Sequence, residues 1–373
     1  MTTPNDDLVR AALEDAASTV TEDGLRPLAA PVSGGRGRLR LRWAFPGVAM
    51  LAAALLALLV LAVPRVWDGG RGGPAMSPAA YAGAEYVLEG TGMGPAAEVT
   101  IEEVATGRTI GRVRAPAGSG GFLHAAGAGD NRTFYLATAD ARACLVRFHR
   151  LVLGEDGAPG PLEPMPELAI PGRPADGFGL LAVAKGGGRL AYSTVGCGPG
   201  AASEGRITIV LTGNGARTHI DLIPGATASQ LRWARDEEHV SAKLARDGAD
   251  GYELWVFGGG DDVRRVTFGD PAARLVVGTV APDGDEVVAV LATGDTLRMV
   301  WYSLDTGTIT RRVPLPGASA KDGAIGGGEL VEGRGGDGYA VLIGDRLYRV
   351  RGTAVESEPV RDGGGLGGGN GVW

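Results

Sequence analysis

"VAPDGDEVVAVLATGDTLRMVWYSLDTGTITRRVPL", residues 280–315, carries the pattern that decides the fold. It contains two local designs. In the first, an Asp-Gly turn runs into a short apolar strand, DGDEVVAV at 283–290. In the second, an apolar strand reaches a tight Gly turn and returns, MVWYSLDTGTITRRVPL at 299–315. Short runs rich in Val, Ile, Tyr and Trp, bounded by Asp and Gly, read as strands. Gly and Asp supply the backbone conformations that tight reversals need.

Both designs recur in alternation. The turn-then-strand form returns as GDNRTFYLA (129–137), GGGRLAYS (186–193), DEEHVSAK (236–243) and GDGYAVLI (336–343). The hairpin form returns as VTIEEVATGRTIGRV (99–113), ITIVLTGNGARTHIDL (207–222), ELWVFGGGDDVRRVTF (253–268) and RLYRVRGTAVESEPV (346–360), with a looser copy, LVRFHRLVLGEDGAPGPL, at 145–162. The hairpin turns, near Gly107, Gly157, Gly215, Gly260, Gly307 and Thr353, lie 45 to 58 residues apart. A repeat of that length holding four short strands predicts a propeller blade. Six copies predict an all-β, six-bladed β-propeller of four-stranded blades over 85–373.

LATADARACLVRFHRLVL (136–153), VAPDGDEVVAV (280–290) and YSLDTGTITRRV (302–313) resemble the WD40-like and TolB-like propellers of exported bacterial proteins, and APDG at 281–284 is similar to the Ser-Pro-Asp-Gly turn of that group. The resemblance implies a fold; it does not imply an activity. The first blade is short by one strand, because Tyr86–Gly90, Val99–Val104 and Thr109–Arg114 supply only three. The C-terminal GGGNGVW, 367–373, is expected to provide the missing inner strand and so to hide two exposed sheet edges.

Ahead of the repeats stands an apolar run. Between Arg42 and Arg65 no residue is charged, and 44–64 gives 21 consecutive residues rich in Leu and Ala. That length spans a bilayer core as a helix, and the run lacks the polar stripe of a buried soluble helix. Pro64 and Arg65 stand where a signal peptide would be cut. Residues 44–64 are therefore expected to be a retained transmembrane helix. Arg36, Arg38, Arg40 and Arg42 precede it, which places the N-terminus in the cytoplasm and the rest outside, at the cell membrane. Residues 1–43 form a cytoplasmic stub in which NDDLVRAALEDAA predicts one short helix. Residues 65–84 are Gly/Pro-rich and read as a flexible linker.

Composition bounds the function. The chain has 373 residues, 64 of them Gly, which favours turns and short strands over long helices. Of 36 basic residues only Lys185, Lys243 and Lys321 are lysine, a usage that resembles GC-rich bacterial genomes. The net charge of −7, spread without a dense basic face, argues against nucleic acid as a partner. His124, His149, His219 and His239 show no metal-ligand spacing and are expected at surfaces or strand edges. No metal or cofactor is therefore expected. There is no G-x-S-x-G, and Lys185 in AVAKGGG lacks the rest of a phosphate-binding loop. No catalytic residue is assigned. Trp233, Trp255, Trp301, Tyr192, Tyr302 and Tyr348 fall on predicted strands and are expected to pack between blades.

Cys144 and Cys197 occupy matching connections, between second and third strands, of neighbouring blades. In an exported domain they are expected to form a disulfide. Tight turns should share one face of the ring. The opposite face should carry the longer connections at 116–121, 158–178, 196–205, 245–252 and 316–328 and bind ligands. These readings favour a non-enzymatic binding module held in the membrane, recognising a protein, peptide or cell-wall polymer. Two alternatives are a sensor in a transmembrane or sigma-factor regulatory system, with the stub as its output, and an exported lactonase- or glycosidase-like enzyme. For the enzyme, Arg232, Arg235 and Asp236 near the channel are candidates that no motif selects.

Overall fold

The computed structural model describes residues 83–359, apart from 91, 94–96, 141–142, 176–179, 199–204, 247–250, 259–261, 320–327, 334–335 and 337. The stub at 1–43, the span at 44–64, nearly all of the 65–84 linker and the closing strand at 367–373 lie outside the described residues. Among the described residues no helix is long and apolar enough to cross a membrane. Among the described residues the one helical element is a short 3-10 turn, Lys185–Gly187.

The strands form six antiparallel sheets, which are the six blades of a propeller and, Gly92–Met93 apart, are each built from strands consecutive in the chain. Blade I holds Tyr86–Glu89, Glu98–Glu103 and Arg108–Arg114. Blade II runs from the channel outward through Gly121–Gly127, Thr133–Asp140, Leu145–Val152 and Glu163–Pro171. Blade III uses Leu181–Val183, Arg189–Val195, Gly205–Leu211 and Arg217–Asp221. Blade IV uses Ala226–Trp233, Val240–Arg246, Tyr252–Phe257 and Val263–Val266. Blade V, the stretch quoted first, uses Arg274–Val280, Glu286–Thr293, Thr296–Ser303 and Thr308–Ser319. Blade VI uses Glu329–Glu332, Tyr339–Ile343, Arg346–Arg351 and Ala354–Pro359.

Sequence sets position across a blade. The second strands, such as EVVAVLAT and YAVLI, are apolar without interruption and buried on both faces, as a strand sandwiched between two neighbours must be. The outer strands RTHID and AVESEP are charged and mostly exposed. The resulting core is five apolar clusters, one at each seam from I–II to V–VI. In the V–VI seam Val288, Val290, Met299 and Trp301 meet Leu330, Val341 and Tyr348. Each such side chain contributes about 1.5–3 kcal/mol when fully buried.

Three departures from the regular blade matter. Blade I has three strands, and among the described residues nothing pairs with the channel-side edge of Tyr86–Glu89. Gly92–Met93, from the connection between Tyr86–Glu89 and Glu98–Glu103 of blade I, instead pairs with Phe122 and Gly121 on the channel-side edge of blade II. The inner strand of blade III is split: Arg173–Pro174 pairs with Val195 and Thr194, and Leu181–Val183 with the other end of the same strand. The expected loop at 158–178 is corrected here. It contains the outer strand of blade II, and its turn, bonded from Gly157 N–H to the Gly154 carbonyl at 3.0 Å, lies on the tight-turn face. Pro164, Pro166 and Pro171 mask the strand in the sequence; it tolerates them as the edge of its sheet. The 316–328 connection likewise begins later, since the preceding strand extends to Ser319.

Cys144 and Cys197 are joined in a disulfide with 6.1 Å between their Cα atoms. The bridge ties the start of blade II's third strand to the end of blade III's second. Beside it the Gly172 N–H donates to the Cys144 carbonyl at 2.9 Å. Gly172 has φ of +123°, and a Cβ there would lie 2.9 Å from Thr194 Cβ. With the cysteines 53 positions apart, losing the bridge should cost roughly 3–4 kcal/mol on the chain-entropy account. Denaturant unfolding of the Cys144→Ser/Cys197→Ser double variant checks this, and thiol labelling of the native chain should require reduction first.

Candidate functional site in the central channel

The inner strands of blades II, IV and V each carry a one-residue bulge, at Leu123, Ser229 and Val276. A bulge re-aims neighbouring side chains and frees a backbone group from the ladder. The free carbonyl of Val276 accepts a hydrogen bond from Lys243 Nζ at 2.6 Å, across the IV–V seam. Ser229 Oγ donates to the Lys243 carbonyl at 3.1 Å.

Blades IV and VI communicate past blade V through two arginine–glutamate rungs with the same spacing, Arg232 and Arg235 against Glu329 and Glu332. The outer rung is closed. Arg235 Nε lies 3.1 Å from Glu332 Oε2, and its Nη2 reaches the Gly333 carbonyl at 3.4 Å. The inner rung is open: among the described residues neither Arg232 nor Glu329 makes a side-chain hydrogen bond or ion pair, and Arg232 Nε is buried without a partner. Burial pushes the Glu329 carboxyl up to about 7, and the Arg232 charge only partly opposes it. Burial pulls Arg232 down, against Glu329. Both retain a little exposed surface, as residues ringed by protein around a narrow lumen do. Burial also raises Glu332, opposed by Arg235 and helped by Asp283 of the blade V turn.

Asp236 is a turn-former. Its Oδ1 accepts N–H bonds from Glu238 at 2.9 Å and His239 at 3.1 Å, and its Oδ2 lies 2.5 Å from His239 Nδ1. Burial works against the carboxylate, but these bonds prevail and hold it below its usual range. Gly284, at φ +81°, sits against this pair, where a Cβ would collide with the Asp236 carboxylate. Of the three sequence candidates, Arg235 thus pairs with an acid, Arg232 feels the Glu329 charge without bonding to it, and Asp236 shapes the tight-turn face. Glu329 was missed. It follows a Gly-rich stretch, and only its position opposite Arg232 marks it.

The histidine expectation is corrected for two residues. His124 and His149 are only 6% and 7% exposed. His124 packs its ring 5.7 Å from Tyr192 at the II–III seam, and burial pushes it down to about 4. A neutral imidazole fills a seam as an aromatic ring does. His149 lies 3.3 Å from Thr138 Oγ1. The aromatic expectation fits Tyr192, Trp301, Tyr302 and Tyr348, all buried; Trp233 and Trp255 are partly buried at the III–IV seam. Among the described residues no group of three or more His, Cys, Asp or Glu is placed to hold a metal ion.

No protein-family model matches the chain. No curated protein matches it in sequence. Solved structures do match its fold. Oligogalacturonate lyase from Vibrio parahaemolyticus aligns with a TM-score of 0.50 at 10% identity over 73% of this chain and 78% of that one. A manganese complex of oligogalacturonate lyase gives 0.50 at 14% identity over 74% of each chain. TolB from Acinetobacter baumannii gives 0.43 at 13% identity over 74% of this chain and 61% of that one. The chain is a six-bladed β-propeller with TolB-like and WD40 propellers among its structural neighbours, and these include both enzymes and non-enzymes.

Glu329 makes a pH prediction. Its carboxyl holds a proton in the folded chain up to about 7, but loses it near 4.5 when unfolded. The folded state therefore binds more protons between those values, and stability falls as pH rises through them. Glu329→Gln should flatten that part of the stability profile. Denaturant midpoints of the two proteins, measured from pH 4.5 to 8, should diverge in favour of the variant as pH rises.

Proposed function

We propose that the chain is a membrane-anchored, extracytoplasmic propeller acting as a non-enzymatic binding module, with residues 44–64 in the bilayer. Its ligand is a protein, a peptide or a cell-wall polymer, taken on the face that carries the longer connections. The asymmetry of the two faces is the observation behind this reading. One face consists largely of tight turns closed by side chains, such as Asp130, Asp236 and Asp283 accepting backbone N–H groups. The other gathers the connections around 90–97, 115–120, 196–204 and 267–273, and the disulfide ties Cys197 in one of them to Cys144 of the neighbouring blade. A rigid ring presenting irregular connections suits recognition, because binding then orders little of the scaffold. The disulfide also supports an oxidising compartment.

A second reading is an exported enzyme. It is favoured by Glu329, a carboxyl pushed up to about 7 beside an unpaired arginine, since shifts of that kind gather at catalytic sites.

Two measurements separate these readings. Cell fractionation should recover the full chain with membranes, released by detergent and not by salt; a chain soluble in the cytosol without detergent overturns the anchor. The purified protein, offered panels of glycoside, lactone and peptide substrates, should give no turnover. Robust turnover abolished by Glu329→Gln would establish the enzyme instead.

A further inference from the structure

The channel side of blade IV holds two cations without a matching anion. Gln230 pairs with Lys243 and Arg232 with Ser241 across the inner two strands. Residues paired across strands project from one face, so Arg232 and Lys243 share the face turned toward blade V, one diagonal step of roughly 7 Å apart. Lys243 is 7% exposed. Its Nζ has the Val276 carbonyl on one side and the Tyr252 ring, with its centroid at 3.9 Å, on the other. Burial pulls it down to about 8, and no carboxylate supports its charge. Among the described residues Arg232 has no side-chain hydrogen bond, and its one electrostatic partner is Glu329 of blade VI. That acid is itself held largely neutral up to about 7. Enclosed charges ordinarily come paired, because an unpaired one loses its hydration without recompense.

We propose that Arg232 and Lys243 form an anion site at the channel end of the IV–V seam, taking a small oxyanion, either a carboxylate or a phosphate. The planar guanidinium offers parallel donors that suit two oxygens of one such group. The ammonium adds a point charge from the wall, with a proton to spare beyond the one given to Val276. Tyr252, 44% exposed, covers Lys243 from the loop-bearing face, so the ligand enters along the lumen, where Arg232 keeps its exposed surface. Glu329 completes the selectivity: in its protonated form it donates a hydrogen bond to the anion, and in its ionised form it competes with it. The site stands apart from whatever the loop face binds, and its failure would leave that reading untouched.

The test is titration calorimetry of the full chain in non-ionic detergent at constant ionic strength. Inorganic phosphate and succinate serve as separate probes and chloride as the control. At least one probe should bind saturably with unit stoichiometry, and which of them does distinguishes phosphate from carboxylate. Arg232→Gln and Lys243→Met should each weaken that binding about tenfold or more, while Glu329→Gln should strengthen it a few-fold. Without added anion, Arg232→Gln should melt at or above the native temperature, because it removes an uncompensated charge. Absence of saturable binding overturns the proposal, as does binding that survives both cation substitutions. A large fall in the anion-free melting temperature of Arg232→Gln overturns it as well, because Arg232 would then already be compensated within the fold.

Discussion

Every blade depends on its neighbours for burial. A four-stranded sheet with Val, Leu and aromatic side chains on both faces cannot be stable alone in water, since it would present two apolar surfaces. The ring answers this by turning each sheet into the cover of the next. Second strands such as EVVAVLAT are buried at every position but the two ends for that reason. Cooperativity follows: removing one blade uncovers two seams.

The same arrangement explains where polar chemistry can sit. The seams are dry and apolar, so charges are admitted at the outer rim, at the turn faces and along the channel. At the rim they form exposed pairs such as Arg206 with Asp221 and Arg150 with Glu163, each worth little in stability. At the channel they are confined by protein on every side, and geometry decides their fate. Arg235 reaches its glutamate and is quenched; Arg232, three residues earlier, does not, and stays electrostatically unsettled. Bulges at Ser229 and Val276 feed the same corner by freeing a carbonyl for Lys243.

The likeness to oligogalacturonate lyase is a likeness of architecture. At 10 and 14% identity, the match extends to the fold alone. The residues that distinguish one propeller's chemistry from another's are few and face the lumen or the loops, where the ring imposes least.

Local sequence decided the strands. Alternating turn and apolar run, repeated at a blade's length, was legible because hairpins and Asx turns are made by residues close in the chain. Asp283 and Asp236 announce their turns by composition alone. The outer strand of blade II was not legible, because its prolines contradict strand propensity and only its position at a sheet edge excuses them. Polarity assigned His124 and His149 to surfaces or strand edges, whereas both are buried, His124 as a ring packed against Tyr192 at the II–III seam. Glu329 and Lys243 were invisible as a site. They lie 86 positions apart in the sequence, and their shared environment exists only once blades IV, V and VI stand side by side. Strand, turn and blade count are properties of neighbouring residues, whereas burial of a charge is a property of everything packed around it.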